Sequence, residues 1–272
     1  MVTTSTSLRR CLFCAVPLTK SNASREDTVP KWLQAELGIA TEIVEPTLTS
    51  PAGVQLSQRV HPVDQLRTGG ICRTCNNGWM SQLESTVQPI LRALIRSKRM
   101  LASLRKVERQ NLSRWAIKTA FVLDAGGLEP RVPQEQLQGL YQGAPRVPKY
   151  LYVFARQQIQ TRSWYYIESA CWTHAPINDV AALKVETSSY KIALQFGDLI
   201  LIVVHWPLSN WSVRVEKGEL TNLWPPTAVV KQYVHPAPME SATSDAACQR
   251  YVTSISVAPN RGAEGLYRET GL

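Results

Sequence analysis

Histidine is scarce in this chain: there are four in 272 residues, and only His61 falls in the first half. The other three, His174, His205 and His235, show no spacing that would bring two imidazoles to one ion. A histidine-built centre is therefore not expected. His61, in RVHPVDQL, reads most simply as a loop residue before a proline, and His205, between Val204 and Trp206 at a strand end, as a packed one. Long apolar runs are missing too. The longest, Leu199 to Trp206, has the length of a strand, far short of the ~20 residues of a membrane span. The opening MVTTSTSLRR has no apolar core behind its charges, so it does not read as an export signal, and a cytoplasmic location is expected. No GxGxxG turn, P-loop, Ser-His-Asp pattern or cysteine-nucleophile pattern occurs. Acids are short as well. Only 21 stand against 30 bases, a net charge of +9, and that excess suits a polyanionic partner.

The strongest chemical signal is in the cysteines. There are six, and without an export signal a reducing compartment is expected, where paired Cys-x-x-Cys motifs hold metal more often than disulfides. Cys11 and Cys14 form one such pair and Cys72 and Cys75 a second. Each spacing lets two thiolates from one tight turn reach a single ion, and four thiolates close a tetrahedral structural zinc site. The first pair sits in a turn and the second just ahead of a helix, the layout of a treble clef. The helix dipole there favours thiolate over thiol. The 57 residues between the pairs, against about 15–20 in a compact zinc ribbon, must fold out as a lobe. The competing reading is two unrelated pairs, or a redox dithiol in one of them. Cys171 and Cys248 lie outside any motif and read as small buried or tail thiols.

The charge is unevenly spread. From Arg92 to Lys118 there are nine bases and one acid, Glu108. Arg96, Lys98, Arg99, Arg105, Lys106, Arg109, Arg114 and Lys118 are the candidate nucleic-acid contacts, and a plainly solvated helical face is the alternative. Two helices carry the segment. Met80, Leu83, Val87, Ile90, Leu91 and Leu94 mark an apolar stripe in the first, with Ser81 and Glu84 as a capping box and Pro89 as a kink. Leu112, Trp115, Ala116, Thr119, Ala120 and Leu123 mark the second, which Gly126-Gly127 ends; Arg114 and Lys118 are then expected to face outward. Trp32, Trp79 and Trp115 read as packing anchors.

The fold class expected is α+β. A zinc lobe with a long insert and the first helix spans residues 1–105, a helical region with a short stretch near Gln134 to Tyr141 spans 106–148, an antiparallel β-rich domain spans 149–236, and a loosely ordered tail spans 237–272. The β-rich half contains KYLYVFAR, SWYYIESA, VETSSYKIALQF, DLILIVVHW and NWSVRVEK, with a hairpin turn at Gly197-Asp198 and a meander as the simplest topology.

The order CLFC, SREDTVPKWL, CRTCNNGWMSQLE and LSRWAIKTA resembles bacterial proteins of the HNH endonuclease superfamily, over about residues 8–125. The resemblance implies an HNH-like treble-clef lobe with structural zinc on Cys11, Cys14, Cys72 and Cys75. It also implies a catalytic site in which Glu26, Asp27 and Asn76 position a second divalent ion, magnesium or manganese, for phosphodiester hydrolysis, with DNA favoured over RNA. Asp27 stands where the family carries its catalytic histidine. A carboxylate with a pKa near 4 is a weaker base than imidazole by about two units, so an altered or impaired site is implied. Asp27 or Thr28 is equally suited to cap a helix over PKWLQAEL. The alternative function is a catalytically inactive, zinc-stabilised nucleic-acid-binding or regulatory module, or a protein–protein adaptor.

Overall fold

The computed structural model describes residues 9–44, 47–49, 55–58, 61–127, 130–143, 147–158, 164–169, 172–173, 189–207, 211–216, 220–225, 231–233 and 255–259. In chain order the elements are β1 (Ala23–Asp27), α1 (Lys31–Leu37), β2 (Ile43–Val44), β3 (Thr47–Thr49), β4 (Gln55–Gln58), β5 (His61–Pro62), β6 (Arg67–Cys72), α2 (Arg73–Cys75), α3 (Ser81–Ile95), α4 (Lys106–Gly126) and α5 (Gln134–Gln142). Strands follow: β7 (Leu151–Gln157), β8 (Trp164–Ser169), β9 (Trp172–Thr173), β10 (Tyr190–Phe196), β11 (Leu199–His205), β12 (Trp211–Glu216), β13 (Thr221–Trp224), β14 (Lys231–Tyr233) and β15 (Ile255–Pro259). The class is α+β.

The largest sheet has the order β13-β7-β11-β10-β8, antiparallel throughout. Its centre is the hairpin expected at Gly197-Asp198, where Phe196 pairs with Leu199. Gly197 has φ +54°, and a Cβ there would lie 2.7 Å from the Ile95 carbonyl, so only glycine suits both the turn and its seat on the end of α3. Asp198 completes that seat: its N–H donates to Ile95 O at 3.1 Å and its carboxylate accepts from Ser97 Oγ at 2.9 Å. The topology departs from a meander. β12 leaves the large sheet for a second one, ordered β14-β12-β15-β9, in which β12–β14 and β15–β9 run parallel. β15 also corrects the tail: ISVAP, inside the stretch expected to be loose, pairs along β12. The rest of 237–272, together with Cys171, Cys248, His174 and His235, lies outside the described residues.

Helix α4 is the axis of the molecule. Every residue from Leu112 to Asp124 is buried, so the helix has no solvent face there. This overturns the expected outward placement of Arg114 and Lys118, which are 8% and 0% exposed. The apolar stripe was legible, but the opposite face packs too: α3 and β6 lie against the helix as well as the large sheet. Trp115 meets Phe196 edge to face, and Phe121 meets Tyr190 likewise. Tyr190 OH donates to Gln136 Oε1, and Gln136 Nε2 lies 2.9 Å from His205 Nε2, so α5 is tied to the sheet through a packed His205. The α4 start is locked by Glu108, which accepts from the Arg105 N–H at 2.8 Å and from both terminal nitrogens of Arg99 at 2.9 Å.

Two helix starts differ from expectation. α1 begins after Pro30, with neither Asp27 nor Thr28 as its cap, because β1 continues through Asp27, paired with Arg67. Ser81 and Glu84 form no capping box, because Ser81 is already helical; the helical path begins at Arg73 and passes through a π-turn over Asn76–Met80. Within this path the chain continues through Pro89, and the non-helical backbone lies at Gly78 (φ −92°, ψ −109°).

Candidate metal centre and adjoining cleft

The first cysteine pair sits on a knuckle. Arg10 bridges to Pro17, Cys11 N–H donates to Val16 O at 2.8 Å, and Ala15 N–H returns to Cys11 O at 3.0 Å. Closing so short a loop puts Ala15 at φ +59°. Leu12 N–H donates to Gly70 O at 2.8 Å, which docks the knuckle on β6. The second pair straddles the junction of β6 and α2: Cys72 ends the strand and caps the helix, and Cys75 ends the first turn. The four sulfur atoms lie within 4.8 Å of one another, with Cys14 and Cys72 at 3.5 Å. A tetrahedral zinc with bonds of about 2.3 Å needs sulfurs about 3.8 Å apart, so the donor set and its size fit.

Backbone N–H groups are aimed at two of the sulfurs. Cys72 N–H points at Cys11 Sγ (3.3 Å) and Cys75 N–H at Cys72 Sγ (3.4 Å). The hydrogen bond with Cys75 draws the Cys11 thiol down to about 4. Cys75 is pushed up, first by that same bond, and Cys14 is pushed up by burial. One site cannot hold four adjoining anions without positive charge, so the proton stays on some of the thiols until a cation replaces it. The described residues thus contain a four-cysteine cluster compatible with a metal ion such as zinc.

The π-turn after Cys75 swings the chain against β1. Asn76 Nδ2 donates to Ser24 Oγ (2.7 Å) and to Arg25 O (3.1 Å). Between the turn, β1 and the start of α1 lies a cleft of about 290 Å³ that Glu26, Asp27 and Asn76 all line. The three sequence candidates are therefore brought to one place. Each already has a protein partner. Asp27 accepts from Arg67 Nε at 2.9 Å. Asn76 holds β1. Glu26, on the floor, accepts from Lys118 Nζ at 2.9 Å, and the same ammonium donates to Glu84 at 2.6 Å. Lys118 is wholly buried. Burial draws its pKa down, but Glu84 and Glu26 outweigh that and hold it above the ordinary lysine range. Burial pushes the Glu26 carboxyl up, against the pull of Lys118.

Glu84 and Lys118 were not read from the sequence as members of this site. The available signal was the run around WAIKTA, where Trp115, Phe121 and Val122 flank the lysine one turn away and only Arg114 is charged, the mark of a lysine inside a core that demands acidic partners. Glu84 also lines the cleft, and Arg25, Pro30, Lys31, Trp32, Asn77 and Ser81 complete the lining. Arg25 and Lys31 are exposed.

Five of the nine bases of the segment are ion-paired within the protein. Arg92 and Arg96 both reach Glu36 on α1, at 3.1 and 2.6 Å, and Arg92 lies 5.7 Å over the Trp32 ring. Arg99 and Arg105 share Glu108. Arg109 donates to the carbonyls of Leu104 and Ala102, and Arg114 to that of Leu140. Lys98 and Lys106 are exposed. A count along the segment sees one acid; folding brings in Glu36, Glu26 and Glu84 from outside it or across it. No family model, curated protein or solved structure matches this chain.

Proposed function

We propose that the chain is a zinc-stabilised nucleic-acid-binding module with an HNH-like, treble-clef lobe, in which the knuckle and the helix after β6 share the metal. The observation that supports it is the cysteine cluster set beside a cleft whose acids are all matched by internal cations, while Arg25 and Lys31 stand exposed at its rim. Zinc would fix the junction of knuckle, β6 and α2, and through Asn76 the position of β1. The cleft itself offers no carboxylate pair without a partner to a catalytic ion.

One observation favours a second reading. Glu26, Asp27 and Asn76 do share a cleft, as a metal-dependent endonuclease of the HNH type needs, with Asp27 in the place of the base. Plasmid nicking in magnesium and in manganese separates the two readings. The binding module gives salt-dependent association without cleavage in either metal. Cleavage that disappears in Asp27→Ala or Glu26→Ala establishes the nuclease instead, and no association with DNA or RNA at low salt removes both.

A further inference from the structure

We infer that the cleft between β1, α1 and the turn after Cys75 is an anion site, which takes a phosphate group through Arg25 and Lys31, and that Lys118 fills the seat a divalent cation would otherwise take. This deepens the nucleic-acid reading and rests on it for the identity of the ligand, a backbone phosphodiester; a free phosphate has the same chemistry.

The argument is one of charge and position. Glu26 comes from β1, Glu84 from α3 and Lys118 from α4, three segments far apart in sequence that meet at a single ammonium. Two carboxylates converging on one point is how proteins hold a divalent ion. Here the point is occupied by a tethered cation that is 0% exposed, does not dissociate and uses donor hydrogens on both acids. Asp27, the third acid of the lining, is held by Arg67. The three acids of the lining, Glu26, Asp27 and Glu84, are held from behind by two cations, Lys118 and Arg67, so that with Arg25 and Lys31 four cations stand against three acids.

An anion meets the reverse arrangement. Arg25 and Lys31, on β1 and at the first position of α1, both line the cleft, and both are exposed with no acidic partner among the described residues. Exposed Asn77 and Ser81, on the opposite wall, add neutral donors of the kind that join cations on phosphate oxygens. At about 290 Å³ the cleft matches the low end of ligand pockets, room for a phosphate with part of its sugar and not for a duplex. Asn76 Nδ2 donates to the Arg25 carbonyl. The turn that leaves Cys75 is therefore tied to the backbone of the residue that carries this guanidinium.

The test is fluorescence anisotropy of a labelled single-stranded oligonucleotide and of a duplex, on the full zinc-loaded chain at low salt, with inorganic phosphate titrated in parallel by phosphorus NMR. Arg25→Glu with Lys31→Glu is expected to weaken oligonucleotide binding at least tenfold and to flatten its salt dependence by about two phosphate contacts. Lys149→Glu, an exposed charge reversal outside the lining, should cost far less. Manganese should compete weakly with the oligonucleotide and not promote it. Circular dichroism and zinc content verify that the variant is folded. Unchanged oligonucleotide binding in the double variant overturns the inference and leaves the proposed function standing. Phosphate binding lost in the variant, with no oligonucleotide binding by the wild type, keeps the site and overturns the nucleic-acid reading. Neither ligand bound overturns both, and tight manganese binding in the cleft overturns the inference alone.

Discussion

The lobe that carries the cysteines and the hairpin of β10 and β11 are built by opposite means. Both strands of the hairpin are buried along all seven of their residues, and most of their side chains are apolar, with Lys191, Gln195 and His205 as the buried polar exceptions. In the lobe, short elements are held by polar devices: four thiols, the Lys118 cluster, the Asn76 anchor and the Arg67–Asp27 pair. Apolar burial is non-directional and tolerates repacking; thiolates and buried charges demand partners at fixed positions. The second kind of construction is where a site can be fixed to fractions of an ångström, and it is the part of the molecule that can be dismantled one group at a time.

Removing the metal centre should break the comparison most severely. Cys72→Ser is expected to abolish zinc binding and unfold the lobe, because structural zinc contributes on the order of 10–16 kcal/mol in small domains. The hairpin sheet should persist, so hydrogen exchange should show fast amides in β1 and β6 and slow ones in β10 and β11. Uniform unfolding would mean the two regions are one cooperative unit.

Lys118→Met comes next. It leaves Glu26 and Glu84 buried without their cation, a loss of about 3–5 kcal/mol in chemical denaturation at neutral pH. Adding Glu26→Gln to it should recover part of that loss. Leu201→Ala, in β11 and fully buried, should cost about 2–5 kcal/mol by leaving a cavity, with no change in zinc content. A fall in zinc content there would contradict the separation of roles.

The smallest effect concerns the α4 lock. The hydrogen bonds from Arg99 and Arg105 hold the Glu108 carboxyl well below the usual carboxylate range. A depressed carboxylate contributes stability above its unfolded pKa and loses it as pH falls through the folded one. Glu108→Gln should therefore lower the Tm at pH 7 by a few degrees, keep most of that difference near pH 4, and lose it only in stronger acid. A difference that vanished by pH 4 would place the carboxyl in the ordinary range.

What the sequence revealed follows the same division. Local patterns were legible: both Cys-x-x-Cys pairs, the stripes of α3 and α4, and the Gly197-Asp198 turn depend on neighbours within a few residues. What was not legible joins distant segments. Glu36 pairs with both Arg92 and Arg96 from a helix some 60 residues away, so part of a segment read as a phosphate-binding face is engaged inside the protein. Lys118 was placed outward because helical periodicity marks one buried face and cannot show that a second layer covers the other. The strand ISVAP has only five residues and joins a sheet whose other members lie elsewhere in the chain. The candidate catalytic residues were named through resemblance, and they line one cleft; the cations that pair with its acids were not visible, since Lys118 comes from α4 and Arg67 from β6.

Native mass spectrometry of the purified chain, incubated with excess manganese and then buffer-exchanged, tests the central claim most directly. The account predicts one zinc per chain, lost in Cys72→Ser, and no retained manganese. A chain without zinc, or one that keeps zinc and a manganese ion together, would contradict it.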